Sequence, residues 1–389
     1  MNHKTVSSLR FLASLVLALL LAGICFSGRA AAETPGGDRL LTGTIEGQPF
    51  VFDLDSLQSR TACLLLFDQG ERVDLLHYRQ TEKVYVASLT KLMTGYLAWQ
   101  LMEEKGATLD SQVTVRAADL EGLAELNASL AGFQDGESVS YRDLFYGLLI
   151  SSGCDAANTL ARATTGSVAS FVMLMNQEAD RLGLSRTRFA NPTGLFDPDN
   201  YSTAEDMAVL LGLLLDQPFL KQALSERTYR SQSTSQHPGG VPMRHYLSYY
   251  GEIAGIDSSS IEGGKTGQLK ESGYCLASFK TIGSLTAVLC TTGADQASGH
   301  LSDHLAIYQA LEEQLPQGSV ALRGIGQSSP LPTSPPTSRP QEQETTTETD
   351  QTGGGITPVI TAVFFGLVVL LALFALVAFL IKRRLEKEL

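Results

Sequence analysis

Three short strings carry the residue types from which a nucleophilic site can be built: SLTK at 88–91, SGC at 152–154 and KTG at 265–267. Ser88 and Lys91 are three apart, and Leu89, Leu92, Met93, Tyr96 and Leu97 follow at helical spacing. Both side chains therefore share one helix face, a single turn apart. A serine at a helix start beside an amine has a base within reach and a positive dipole for developing oxyanion charge. A plain N-cap serine with a solvated lysine explains the same four letters, so this string decides nothing alone. In SYRDLFYGLLISSGCDAANTLARAT (140–164) two helical patterns break at Ser151–Gly153. Ser152 followed by Asp155 also fits a capping box. At this point Cys154 is open to three readings: a nucleophile, half of a disulfide, or a substitution in a site whose nucleophile lies elsewhere. The third string sits in SIEGGKTGQLKESGYCLASFK (260–280), read as strand and followed by SLTAVLCTTG (284–293), with a turn near Ile282-Gly283. A glycine inside a strand marks close approach of another backbone. A peptide could lie along this sheet edge, its C-terminal carboxylate meeting Lys265 and Thr266.

The elements that must position these residues are legible in outline. TACLLLF (61–67) and RVDLLHY (72–78) read as strands joined by an Asp68-Gln69-Gly70 turn, and a helix runs through 86–106. His300 and His304 are four apart on a helical pattern, but a zinc site needs a third ligand and H-E-x-x-H is absent. They are expected on a solvated helix face, with no metal and no cofactor. Cys63, Cys154, Cys275 and Cys290 remain after the leader described below. A two-residue loop at Ile282-Gly283 would place Cys275 and Cys290 opposite each other, whereas a three-residue loop would separate them. Isoleucine disfavours the positive φ of a two-residue type I′ turn, so two free buried thiols are expected.

The chain has 389 residues, 43% hydrophobic and 18% charged, with net charge −12. It has room for a sizeable core, and its acidity argues against nucleic-acid binding, which needs a basic face. Lys4 and Arg10, then FLASLVLALLLAGICF and Ala30-Ala31-Ala32, read as a secretory signal peptide over 1–32. The uncharged run PVITAVFFGLVVLLALFALVAFLI (358–381) is long enough to span a hydrocarbon core of about 30 Å. Lys382, Arg383 and Arg384 follow it, which places the C-terminus in the cytoplasm and the rest outside. The stretch before it, rich in Pro, Ser, Thr and acid, cannot bury enough apolar surface to fold. The organisation expected is a folded domain over 40–316, a tether over 317–355, a membrane helix over 356–381 and a tail over 382–389.

The three strings, in this order, resemble the serine D-alanyl-D-alanine carboxypeptidases, the low-molecular-weight penicillin-binding proteins. DLFYGLLISSGCDAAN, RLGLSRTRFANPTGLFDPDNYSTAEDMA (181–208) and ESGYCLASF resemble that family as well, so the likeness runs from about Thr61 to about Gly293. It implies an α+β fold, an antiparallel sheet flanked by helices with a helical lobe, as in β-lactamases and transpeptidases, and the site between sheet and lobe. By the resemblance, Ser88 is the acylated nucleophile, Lys91 its base, and Ser152 the relay to the leaving amine, supported by Lys265. Thr266 would bind the terminal carboxylate, with Gly267 beside it, and the N–H groups of Ser88 and Gln268 would form the oxyanion hole. The implied partners are peptidoglycan stem peptides ending in D-Ala-D-Ala and β-lactam antibiotics. Cys154 stands where the family has asparagine, which makes it a site-lining substitution and puts substrate positioning in question. A thiol donates and accepts more weakly than an amide. Two other functions are weighed. A β-lactamase would need a glutamate near 190–200 to activate water, and none is convincing. A wall-binding or penicillin-binding module, catalytically weakened, would not need Lys91.

Overall fold

The run ACLLLF offers no polar side chain to water, as expected of a strand covered on both faces. In the computed structural model, which describes residues 41–68, 71–315 and 322–325, this run lies in β2 (Thr61–Asp68) of a six-stranded sheet. The other strands are β1 (Leu41–Thr42), β3 (Glu71–Tyr78), β4 (Gly263–Leu269), β5 (Gly273–Ile282) and β6 (Leu285–Ala294). Their order is β1-β3-β2-β6-β5-β4, antiparallel throughout, so the strand bearing KTG is an edge strand. Alternate residues of the central strands feed two cores. Cys63, Leu65, Ala277, Phe279, Val288 and Cys290 enter one; Ala62, Leu64, Leu66, Leu276, Ala287 and Leu289 enter the other.

The first core is closed by α1 (Thr90–Glu104), α2 (Tyr141–Leu149), α3 (Cys154–Thr165), α4 (Val168–Arg181), α5 (Ala204–Leu215) and α6 (Pro218–Ser225). The second is closed by α7 (Tyr246–Ala254) and α8 (Gly299–Gln314). Helix α1 is buried over nearly its whole circumference, polar Lys91 and Thr94 included. Trp99 ties it to the neighbouring helices, its ring 5.8 Å from Phe145 and 5.6 Å from Phe219. The lobe seats on the sheet through Gly212 of α5, where an added Cβ would stand 2.5 Å from the Phe67 ring.

Three expectations are corrected. The β5–β6 register pairs Ile282 with Leu285, so the turn is Gly283-Ser284, with Gly283 supplying the positive φ of +62°. Cys290 then faces Ala277, not Cys275; these two thiols are free and buried, as expected, and so are Cys63 and Cys154. His300 and His304 are not solvated. Both are fully buried, and His304 bridges Ser278 and Thr291. Leu322–Arg323, assigned to the tether, pair with Thr44–Ile45 in a small sheet completed by Gln48–Pro49, so folded structure continues past 316. The leader, the rest of the tether, the apolar span and the tail lie outside the described residues. Among the described residues no single helix is long and apolar enough to cross a membrane.

Candidate active site

Ser88 lies in a 3-10 turn, Ala87–Leu89, that runs directly into α1; neither turn nor helix has a side-chain cap. The plain N-cap reading therefore fails, and the hydroxyl is committed elsewhere. The turn needs Ala87 at φ +48°, a conformation costing a non-glycine residue roughly 1–2 kcal/mol. Gly194, at φ +75°, packs on its carbonyl so closely that a Cβ there would lie 2.1 Å from the Ala87 oxygen. The ANPTGL segment also ties to α1 and braces its own shape. Thr94 Oγ1 donates to the Pro192 carbonyl at 2.7 Å, and Asn191 Oδ1 accepts from Gly194 N–H at 2.8 Å.

Lys91 is fully buried, and its Nζ faces three acceptors: Thr193 carbonyl at 2.5 Å, Ser88 Oγ at 3.1 Å and Cys154 Sγ at 3.4 Å. The amine stands within general-base reach of the serine hydroxyl. The Thr193 contact was not foreseen, because a backbone carbonyl contributes nothing to a residue pattern; only the family likeness of 181–208 marked the segment.

Ser152 takes φ +55° between α2 and α3, and Gly153 occupies the N-cap of α3 without a side-chain bond. The capping box does not form. Asp155 turns instead to the N–H groups of Ala131, Gly132 and Phe133, at 2.8, 2.9 and 3.1 Å, and fixes that loop. Ser152 Oγ is left to accept from Lys265 Nζ at 2.9 Å. Lys265 is also buried and donates to the Thr266 carbonyl at 2.7 Å. Burial, reinforced by the charge of Lys91, holds its pKa well below the usual lysine value.

Strand β4 approaches the Ser88 turn through Gly267, where a Cβ would stand 2.8 Å from Val86 O and 3.1 Å from Ser88 N. Ser88, Ser152, Thr266, Gly267 and Gln268 line one cleft of about 630 Å³. Tyr246, Tyr249 and Tyr250 of α7, with Tyr274 of β5, form an aromatic wall that the sequence reading missed. Cys154 is buried, 2% exposed, and its contact within the site is with the Lys91 amine. The assembly provides a hydroxyl nucleophile beside an amine, a second hydroxyl–amine pair, and an edge strand for an extended ligand.

The family model described as D-alanyl-D-alanine carboxypeptidase, Peptidase_S11, matches residues 54–296. The chain is 29% identical over 238 residues to D-alanyl-D-alanine carboxypeptidase DacF of Bacillus subtilis, covering 61% of this chain and 58% of that protein. It is 32% identical over 271 residues to DacC of Escherichia coli, covering 66% and 64%. The chain thus spans less than two thirds of the length of these curated relatives. The Streptomyces K15 DD-transpeptidase superposes with TM-score 0.57 at 26% identity, over 65% of this chain and 97% of that one. Its solved structures include variants of a serine and of a cysteine two residues further on, the spacing of Ser152 and Cys154.

Proposed function

Given that the chain belongs to the D-alanyl-D-alanine carboxypeptidase family of S11 peptidases, we propose that its cleft removes the terminal D-alanine from peptidoglycan stem peptides through an acyl-serine. The observation that carries the reading is the contact of Lys91 Nζ with Ser88 Oγ at 3.1 Å inside a buried site. With the amine neutral, its two N–H bonds go to Thr193 and Cys154, and its lone pair faces the serine proton. Ser88 Oγ attacks the carbonyl of the penultimate residue, and the N–H groups of Ser88 and Gln268 receive the oxyanion. Ser152, held by Lys265, passes a proton to the departing amine. Thr266 holds the substrate's terminal carboxylate. Water then cleaves the ester.

The strained amide of a penicillin would enter by the same attack and stop at the ester. The domain would act outside the cell, anchored by the apolar span near the C-terminus. A second reading keeps the acyl-enzyme and changes its fate, with an amine as acceptor in place of water. The serine–cysteine spacing shared with a DD-transpeptidase favours it. The test is incubation of the protein with a stem pentapeptide, with and without an acceptor amine, read by mass spectrometry. Tetrapeptide is the expected product, lost in Ser88→Ala; cross-linked dimer in its place would select the second reading. Persistence of either product in Ser88→Ala would reject both.

A further inference from the structure

A group of metal-type ligands lies outside the cleft, created by an irregularity in β3. Leu64 pairs with Leu76 but Leu65 pairs with Asp74, so Leu75 is an extra, unpaired residue. In a regular strand residues three apart point to opposite faces. The bulge brings Asp74 and His77 to the same face, opposite Leu65 and Cys63 of the helical core. Glu205, in the first turn of α5, reaches the same place, its own N–H donating to Gln80 O at 3.0 Å. One ligand atom from each of Asp74, His77 and Glu205 lies within 4.8 Å of the other two.

The second observation is the imidazole itself. His77 is 8% exposed, and its Nε2, 3.6 Å from Asp74 Oδ2, has no hydrogen-bond partner. A neutral imidazole offers one nitrogen lone pair to a metal. Arg72 already sits beside the group, donating to both Asp74 oxygens at 2.6 and 2.8 Å, with Nη2 3.6 Å from Glu205 Oε1. It uses one lone pair on each Asp74 oxygen and leaves the other. Two carboxylates against one guanidinium leave a net negative charge. A hydrogen-bond donor that fixes a ligating carboxylate is a usual feature of metal sites. At zinc bond lengths of about 2.0–2.1 Å, tetrahedral ligand atoms stand about 3.3–3.4 Å apart. The His77–Asp74 separation is already close to that.

We propose that Asp74, His77 and Glu205 form a binding site for a divalent cation of the zinc class, with Arg72 orienting Asp74 and water completing the coordination. The ion would clamp β3 to the start of α5, joining the sheet to the helical lobe. The mixed nitrogen and carboxylate donors suit zinc and its neighbours better than magnesium, which prefers an all-oxygen octahedron. The proposal stands apart from the catalytic reading.

The test is calorimetric titration of the chelator-treated full-length protein with Zn²⁺ and with Mg²⁺, together with thermal midpoints and the visible spectrum of bound Co²⁺. One zinc per chain, a rise in midpoint at saturating zinc and a four-coordinate cobalt spectrum are expected, with little response to magnesium. His77→Asn and Glu205→Gln should each weaken zinc about tenfold or more, whereas Ser88→Ala should bind as the parent does. Glu205 is 27% exposed, so its variant keeps the fold if His77→Asn does not. No zinc response at about 100 μM, or equal affinity in parent and Glu205→Gln, would overturn the site and leave His77 as a simple neighbour of Asp74.

Discussion

Cys154 is where a single residue changes the chemistry most. Its sulfur accepts from Lys91 at 3.4 Å, and thiols are weak acceptors, so one N–H of the amine is loosely held. An asparagine side chain there would hold the amine through its carbonyl oxygen and could direct its NH₂ toward the cleft. Cys154→Asn is therefore expected to keep or raise pentapeptide turnover. Cys154→Ala is expected to retain acylation by a labelled penicillin, because nucleophile and base remain. Mass spectrometry of the peptide products checks the first, and peptide mapping of the labelled protein the second: the label must map to Ser88 in every variant, and a label on the cysteine of the parent would refute the assignment. Lys91 carries the complementary expectation. Lys91→Ala should slow acylation by about 10²–10⁴-fold, the usual loss of a positioned base.

The elements matter through their close approaches. Gly267 brings β4 against the nucleophile turn, and the 2.8 Å that a Cβ would leave to Val86 O forces strand and turn apart. Gly267→Ala should lower the thermal midpoint only modestly, since the crowding on Val86 O, Ser88 N and Ala87 Cβ is confined to one place at a sheet edge. Acylation should fall on the order of a hundredfold, as displacements of about 1 Å at a reacting centre cost; equal acylation would show that the approach is not needed. The seat of α7 is set by His245, its N-cap. Nδ1 accepts from Leu247 N–H at 2.9 Å and Nε2 donates to Leu224 O at 3.2 Å, which fixes one neutral tautomer. Burial, with the charges of Arg227 and Lys265, pushes its pKa down to about 3 from 6.5. The unfolded chain therefore takes the proton first. This contribution to stability is full above pH 6.5 and declines as pH falls from there toward 3. His245→Asn, which can still cap, should flatten the fall of the thermal midpoint across that window; an unchanged slope would assign the acid sensitivity elsewhere.

At the scale of the whole molecule, one sheet supports two cores, and the cleft opens where the edge strand meets the lobe. Among the described residues no strand pairs with the outer side of that edge strand, which suits the extended recognition mode the proposed substrate would use. The proposed placement outside the cell has its own test. After expression in a bacterial host, the full chain should partition with membranes, and a chain ending at residue 325 should not. External protease should cut between Gln327 and Gly355 and release the domain, while a tag placed after Ile381 stays protected. A tag digested from outside would refute the single-span topology.

The sequence by itself marked side chains that the fold brings together, because their types and spacing are local: Ser88 and Lys91 in one turn, Ser152 between two helices, Lys265–Gln268 in one strand. It also determined the continuous apolar strands, since burial on both faces leaves no alternation to read. Tertiary structure alone decided the rest, and for one reason: those features depend on backbone atoms or on register. The Thr193 carbonyl on Lys91 is the same atom in every residue type. The hairpin turn sits at Gly283-Ser284, one position beyond the expected one, because Gly283 takes the positive φ that Ile282 disfavours; Cys275 and Cys290 stay apart, as expected. The contact of Cys154 with Lys91 joins residues 63 positions apart, which no local spacing announces. The Asp74–His77–Glu205 group exists only through a bulge that turns two residues of alternating strand to one side, where a helix start 128 positions beyond His77 meets them.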